Sequence, residues 1–169
     1  MAARIGRAAG LLVMAVALPV VGCDDTGSGG SEKPDAAAVK AARAFQQASV
    51  EQDWKAACEA RTERLRQSMG AATIAECVDI TKTSRTRAYP DAQVTTGETV
   101  EVEASGQHPA GIGLRVTFEA GSAAPGMITH TALRLVPGER GAWLVDQTVN
   151  LDETMGTDTK AVRAALARK

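Results

Sequence analysis

The sequence predicts an α+β fold, with N-terminal helices packed on an antiparallel sheet of about four strands. Two observations carry this reading. The period of the apolar residues changes from about 3.6 to about 2 near residue 92. The alternating segments beyond that point are joined by short connections, which suit antiparallel neighbours rather than crossovers. Size agrees, because 169 residues with 44% hydrophobic content allow one domain of ordinary size with its own core. The same numbers exclude some functions. A formal net charge of −1 excludes nucleic-acid binding by bulk electrostatics, and the hydrophobic fraction excludes a wholly disordered chain.

In chain order, the first segment is an address. Arg4 and Arg7 precede an apolar run over residues 8–22. That run falls short of the ~20 residues needed to cross ~30 Å of hydrocarbon, and a basic start before a short apolar stretch is the pattern of a secretory signal peptide. Pro19 disturbs any helix near its end, and Ile5 and Gly6 separate the arginines, so the signal is not of the twin-arginine type. Val20, Val21, Gly22 and Cys23 resemble the lipobox of bacterial lipoproteins. The resemblance implies transfer of diacylglycerol to the Cys23 sulfur and cleavage before Cys23. The protein would then sit at the cell membrane, lipid-anchored on the extracytoplasmic face. Each buried CH₂ contributes ~0.8 kcal/mol, so two acyl chains anchor stably where one does not.

This divides the chain into a lipoprotein signal peptide (1–22), a lipidated flexible tether (23–34), a folded α+β domain (35–152) and a C-terminal helical tail (153–169). The tether is rich in Gly, Ser and Asp and spans roughly 18 Å as a coil. Without Arg4 and Arg7, 17 basic residues face 20 acidic ones. Such a chain has no general attraction to anionic lipid, so the acyl group must hold it at the membrane.

Three cysteines is an odd count for an exported chain. Lipidation of Cys23 leaves Cys58 and Cys77 as a pair, which outside the cytoplasm can form a lasting disulfide; two buried free thiols are the alternative. The bridge would stabilise the fold by about 3 kcal/mol. There is no Cys-x-x-Cys and no cysteine–histidine cluster, so redox catalysis and structural zinc are poor readings and neither metal nor cofactor is expected.

The spacing of Val39, Ala42, Phe45 and Ala48 predicts an amphipathic helix over 35–51, with Asp35 as its N-cap. A second helix begins near Asp53 and carries Trp54, Ala57, Cys58 and Leu65 on one side, ending at Gly70. A third, over 72–82, aligns Ile74, Cys77, Val78 and Thr81. Strands follow. Val100 and Val102 alternate with Glu101 and Glu103, and Ile112, Leu114, Val116, Phe118 and Ala120 alternate with Arg115, Thr117 and Glu119. Residues 127–136 form a strand whose inward face the pattern leaves open, and 142–151 form a fourth with Trp143, Val145 and Val149. Residues 157–169 are helix-prone and basic at the end, which suits the helix dipole.

Helices followed by a curved antiparallel sheet resemble the NTF2-like (cystatin-like cone) superfamily, and more narrowly its small exported actinobacterial lipoproteins. The matching landmarks are the segment 38–45, the segment 53–58 with Trp54 and Cys58, Cys77 in the next helix, and 141–146 with Trp143 and Asp146. The resemblance covers residues 35–152 and implies a cone pocket, for which Trp54, Tyr89, Phe118, His130, Trp143 and Asp146 are the candidate lining.

The chemistry that such a pocket could perform is sparse. A ketosteroid-isomerase-like site needs a tyrosine, a protonated acid and a carboxylate base. Tyr89 precedes Pro90 in a loop, and Asp146 is the one candidate base, so no catalytic residue is assigned. His108 and His130 lack metal-ligand spacing. Arg61, Arg64, Arg66, Lys82, Arg85 and Arg87 form a basic concentration, read as a solvated helix face or as a docking patch for an acidic partner. The leading expectation is therefore a non-catalytic, membrane-anchored domain that binds a small ligand or an envelope protein. The alternatives are an enzyme using the cone pocket and an accessory subunit that forms a homodimer through its sheet. Fold alone does not choose among them.

Overall fold

A computed structural model describes residues 34–84, 87–152 and 154–168, within the unit Glu32–Lys169. The expected signal peptide, the lipidation site Cys23, the tether before Pro34 and Arg85 of the basic concentration lie outside the described residues.

Helix α1 (Pro34–Val50) places Ala38, Ala42, Phe45 and Ala48 on one buried face. Three of these four are alanines, so the helix approaches the sheet closely and Phe45 fills the gap near its end. Asp53 then caps α2 (Trp54–Glu59) by accepting from Ala56 N. The second predicted helix is in fact two, because α3 (Glu63–Ser68) starts afresh after a break. The cause is long-range. Val145 N donates to Ala60 O at 2.8 Å and Thr62 N donates to Val145 O at 2.9 Å, pinning residues 60–62 alongside a distant strand. The Thr62 hydroxyl then accepts from Leu65 N and caps the new helix. Helix α4 (Ile74–Ser84) follows, and the Cys58–Cys77 disulfide ties it to α2 with a Cα separation of 6.0 Å. Both cysteines are fully buried, with Ala71 beside them.

Strands β1 (Gln93–Val102), β2 (Gly111–Glu119), β3 (Ile128–Pro137) and β4 (Trp143–Leu151) form a curved, unclosed antiparallel meander in sequence order. Helix α5 (Thr159–Leu166), capped by Asp158, completes the fold. The two faces of the sheet are covered by different helices. Under α1 lie Val94, Ile112, Leu114, Val116, Leu133, Leu135 and Val145. On the other face Val162, Ala165 and Leu166 of α5 pack on Val100, Val102, Ala132 and Leu151. This answers the question left open for β3. Residues 132–136 are all buried because both faces of that strand are covered.

Two register shifts set the details. In β1, Val94 lies opposite Phe118 but Val100 lies opposite Gly113, so a bulge between Thr96 and Thr99 turns the second half of the strand over. Val94 therefore faces α1, whereas Val100 and Val102 face α5. Gly113 has no room for a side chain, since a Cβ there would lie 2.8 Å from Val102 Cγ1 and 2.9 Å from Leu166 Cδ1. In β4, Val145 pairs with Leu135 and Gln147 with Arg134, which leaves Asp146 as an extra residue.

Candidate functional site

Beyond the end of the α1 packing, the same sheet face turns from apolar to polar. Leu133 and Leu135 lie under the helix, while Thr129 and Thr131, four and two residues before Leu133 and so on the same face, lie past it. Thr131 pairs with Asn150 and Leu133 with Thr148, so β4 contributes polar side chains beside them. Thr129, Thr148 and Asn150 are exposed. They line one side of an open cleft of about 1550 Å³.

The helical side of this cleft is aromatic and cationic. Phe45 and Ser49 come from α1, Trp54 from α2 and Thr81 from α4. Arg61, only 7% exposed, lies in the break between α2 and α3, with its guanidinium carbon 5.4 Å from the Phe45 ring centroid. Its Nη1 donates to Thr81 Oγ1 at 3.2 Å and lies 3.2 Å from Cys77 Sγ. At the mouth, Tyr89 meets Phe118 edge-on with centroids 5.2 Å apart, and Arg87 lies over the Tyr89 ring at 5.9 Å. Asp152 is the acidic member of the described lining. The Thr154 hydroxyl and the backbone N–H groups of Thr154 and Met155 bond its carboxylate and hold its pKa below the usual range.

Four of the six candidate pocket residues line this cleft: Trp54, Tyr89, Phe118 and His130. His130 does so from the rim. It lies opposite Thr117 and Leu151, on the α5 face, and its Nδ1 is 2.9 Å from the Thr117 hydroxyl. Trp143 and Asp146 do not line it. Trp143 starts β4 at the opposite end of the sheet, where it packs on the α1 core and borders a second hollow of about 840 Å³. Asp146 is the bulge residue and is 2% exposed. Its carboxylate pairs with Arg64, accepts from Thr62 Oγ1 at 3.0 Å and lies 3.0 Å from His108 Nδ1. Asp146, a candidate for the pocket lining, is thus a buried anchor joining α3, the β1–β2 connection and β4.

The basic concentration is likewise no solvated face at its N-terminal half. Arg61 is buried, Arg64 is paired with Asp146, and Arg66 Nη1 donates to Arg61 O at 2.7 Å. Lys82 and Arg87 are exposed. Burial, then the charges of Arg64 and Arg134, push the His108 pKa down. Among the described residues no group of three His, Cys, Asp or Glu side chains is placed to hold a metal ion, and no helix is long and apolar enough to cross a membrane.

The polar strand residues and the Phe45–Arg61–Thr81 wall were missed in the sequence. The signal for the former is alternation of small polar residues at the start of β3 and the end of β4, which becomes readable once the α1 face is known. Fold and site together define a class: an α+β domain whose helices and curved sheet enclose an open cleft. The chain matches no known protein family, no curated protein and no solved structure.

Proposed function

We propose that the protein is a membrane-anchored bacterial lipoprotein whose extracytoplasmic, NTF2-like domain binds a small ligand in this cleft without catalysis. The observation that carries the reading is the lining itself, with aromatic rings on the helical side and neutral hydroxyl and amide groups on the strands. Rings desolvate an apolar body, and a few placed polar groups orient it. Acid–base catalysis instead needs a titratable side chain within reach of the reacting atom, whereas in this lining His130 sits at the rim beside the Thr117 hydroxyl and the Asp152 carboxylate is bonded within its own turn. The close acid–base contact between Asp146 and His108 lies outside the cleft and is occupied with Arg64. The Cys58–Cys77 disulfide favours an oxidising compartment, and the lipobox at residues 20–23 supplies the anchor.

Two experiments test the two halves. Metabolic labelling with a palmitate analogue is expected to mark the wild-type chain and to disappear in Cys23→Ser, with release of the protein from the membrane. Equal labelling of both would contradict the anchor. For the cleft, Thr148→Trp places an indole among the exposed polar strand residues. Small molecules extracted from wild-type protein purified from its own host should be missing from that variant, and an identical extract from both would contradict the binding role.

A further inference from the structure

Resting on the reading of the cleft as a ligand site, we propose that its ligand is a short extended peptide, added as a further strand to the free edge of β4 with every second side chain in the cleft. β4 ends the sheet order, so one of its edges has no strand beside it. The first half of that edge already pairs in this way. Val145 N donates to Ala60 O and Thr62 N donates to Val145 O, a parallel bridge that sets Arg61 opposite Val145. After Thr62 the chain turns into α3 and leaves the strand.

The register shows what is left open. Backbone direction alternates along a strand, and β3 pairs with β2 without a shift. Val145 turns both its groups away from β3, so its partner Leu135 turns towards β2, and so do Leu133 and Thr131. Thr148 and Asn150, which pair with those two, therefore turn N–H and C=O outward as Val145 does. Among the described residues nothing bonds these four groups. Residues 147–151 also carry no charge and no proline, whereas the other edge strand, β1, has Glu98, Glu101 and a bulge to discourage pairing.

Residues that share a backbone direction share a face, and the side chains of Thr148 and Asn150 line the cleft. A peptide side chain opposite either one would point the same way, towards the aromatic helical wall. Five residues of edge, at ~3.3 Å each, suit a peptide of about five residues. A second copy paired here would bring only its own short Thr148 and Asn150 to this face and leave the rings uncovered. A peptide with alternate apolar side chains covers them, with main-chain bonds giving affinity and the cleft giving specificity.

The test is calorimetric titration of the full chain with capped pentapeptides in which Thr alternates with Phe, Leu or Val. At least one should bind the wild type, and bind Asn150→Pro about tenfold more weakly than Asn150→Ala, because proline removes one outward N–H and no bond to β3. Should Asn150→Pro fail to fold, peptides methylated on alternate backbone nitrogens decide: one alternate set must abolish binding and the other must spare it. Equal binding to Asn150→Pro and Asn150→Ala, or of both methylated forms, overturns the inference. If no peptide binds while Thr148→Trp still loses the molecules extracted from the wild type, the cleft reading stands and the peptide inference is overturned. A dimer that Asn150→Pro dissociates, with no peptide bound, overturns it too and assigns the edge to a second copy. If Thr148→Trp changes neither the extract nor peptide binding, the cleft reading falls and this inference with it.

Discussion

Arg134 has no exposed surface, yet it carries a full charge in the middle of β3. Its Nε donates to Gln147 Oε1 at 3.1 Å, Nη1 donates to the carbonyls of Glu103 and Pro109 at 2.7 Å each, and Nη2 donates to Leu166 O at 2.7 Å. One side chain thus closes the β1–β2 connection and the C-terminal end of α5, where a cation also suits the helix dipole. Replacing it with Met keeps volume but strands three carbonyls. Arg134→Met should lower unfolding stability by about 3–5 kcal/mol. Urea unfolding measures this, and a loss below about 1 kcal/mol would mean that the carbonyls find other partners. His108 gives a pH signature. Unfolded, it takes up a proton near its ordinary value of 6.5, and in the fold only at lower pH. Between those values the unfolded chain binds more protons, so the His108 contribution is full above 6.5 and is lost as pH falls through the folded pKa. The urea midpoint should therefore drop from pH 7 to pH 5, and less steeply in His108→Gln. A variant that tracks the wild type over that range would remove His108 from the account.

Elements differ in how readable they were. The disulfide between α2 and α4 follows from cysteine arithmetic, and β2 follows from nine alternating residues. The break between α2 and α3 does not, because its cause is Val145, far along the chain. Neither bulge is visible in the strand that contains it, since a bulge is defined by the register of the partner. For this reason Val100 and Val102 read correctly as one face, but which helix covers them was not legible. Asp146 was misjudged for the same reason: as the extra residue at a bulge it leaves simple alternation. Two measurements follow. Cys58→Ala with Cys77→Ala should cost about 3 kcal/mol, the closure entropy of a loop this long. Leu166→Ala should cost about 2–5 kcal/mol, because α5 buries Leu166 completely against the second face of the sheet. Thermal or urea unfolding reads both, and an unchanged midpoint for Leu166→Ala would mean that α5 does not stay docked.

At the scale of the molecule, one sheet serves two purposes. Helix α5, held by Leu166 and Arg134, packs on one face and gives the fold a second core, so the other face can end in polar side chains without unfolding the domain. The aromatic candidates Trp54, Tyr89 and Phe118 were legible as rare large residues. Thr129, Thr131, Thr148 and Asn150 were not, because small polar residues in strands normally mark a solvated face. Native mass spectrometry of the chain purified from its own host under non-reducing conditions, beside Thr148→Trp, tests the binding claim most directly. The wild type is expected to carry a small-molecule adduct that is lost on unfolding and absent from the variant. A bare mass for both proteins, or the same adduct on both, would contradict it.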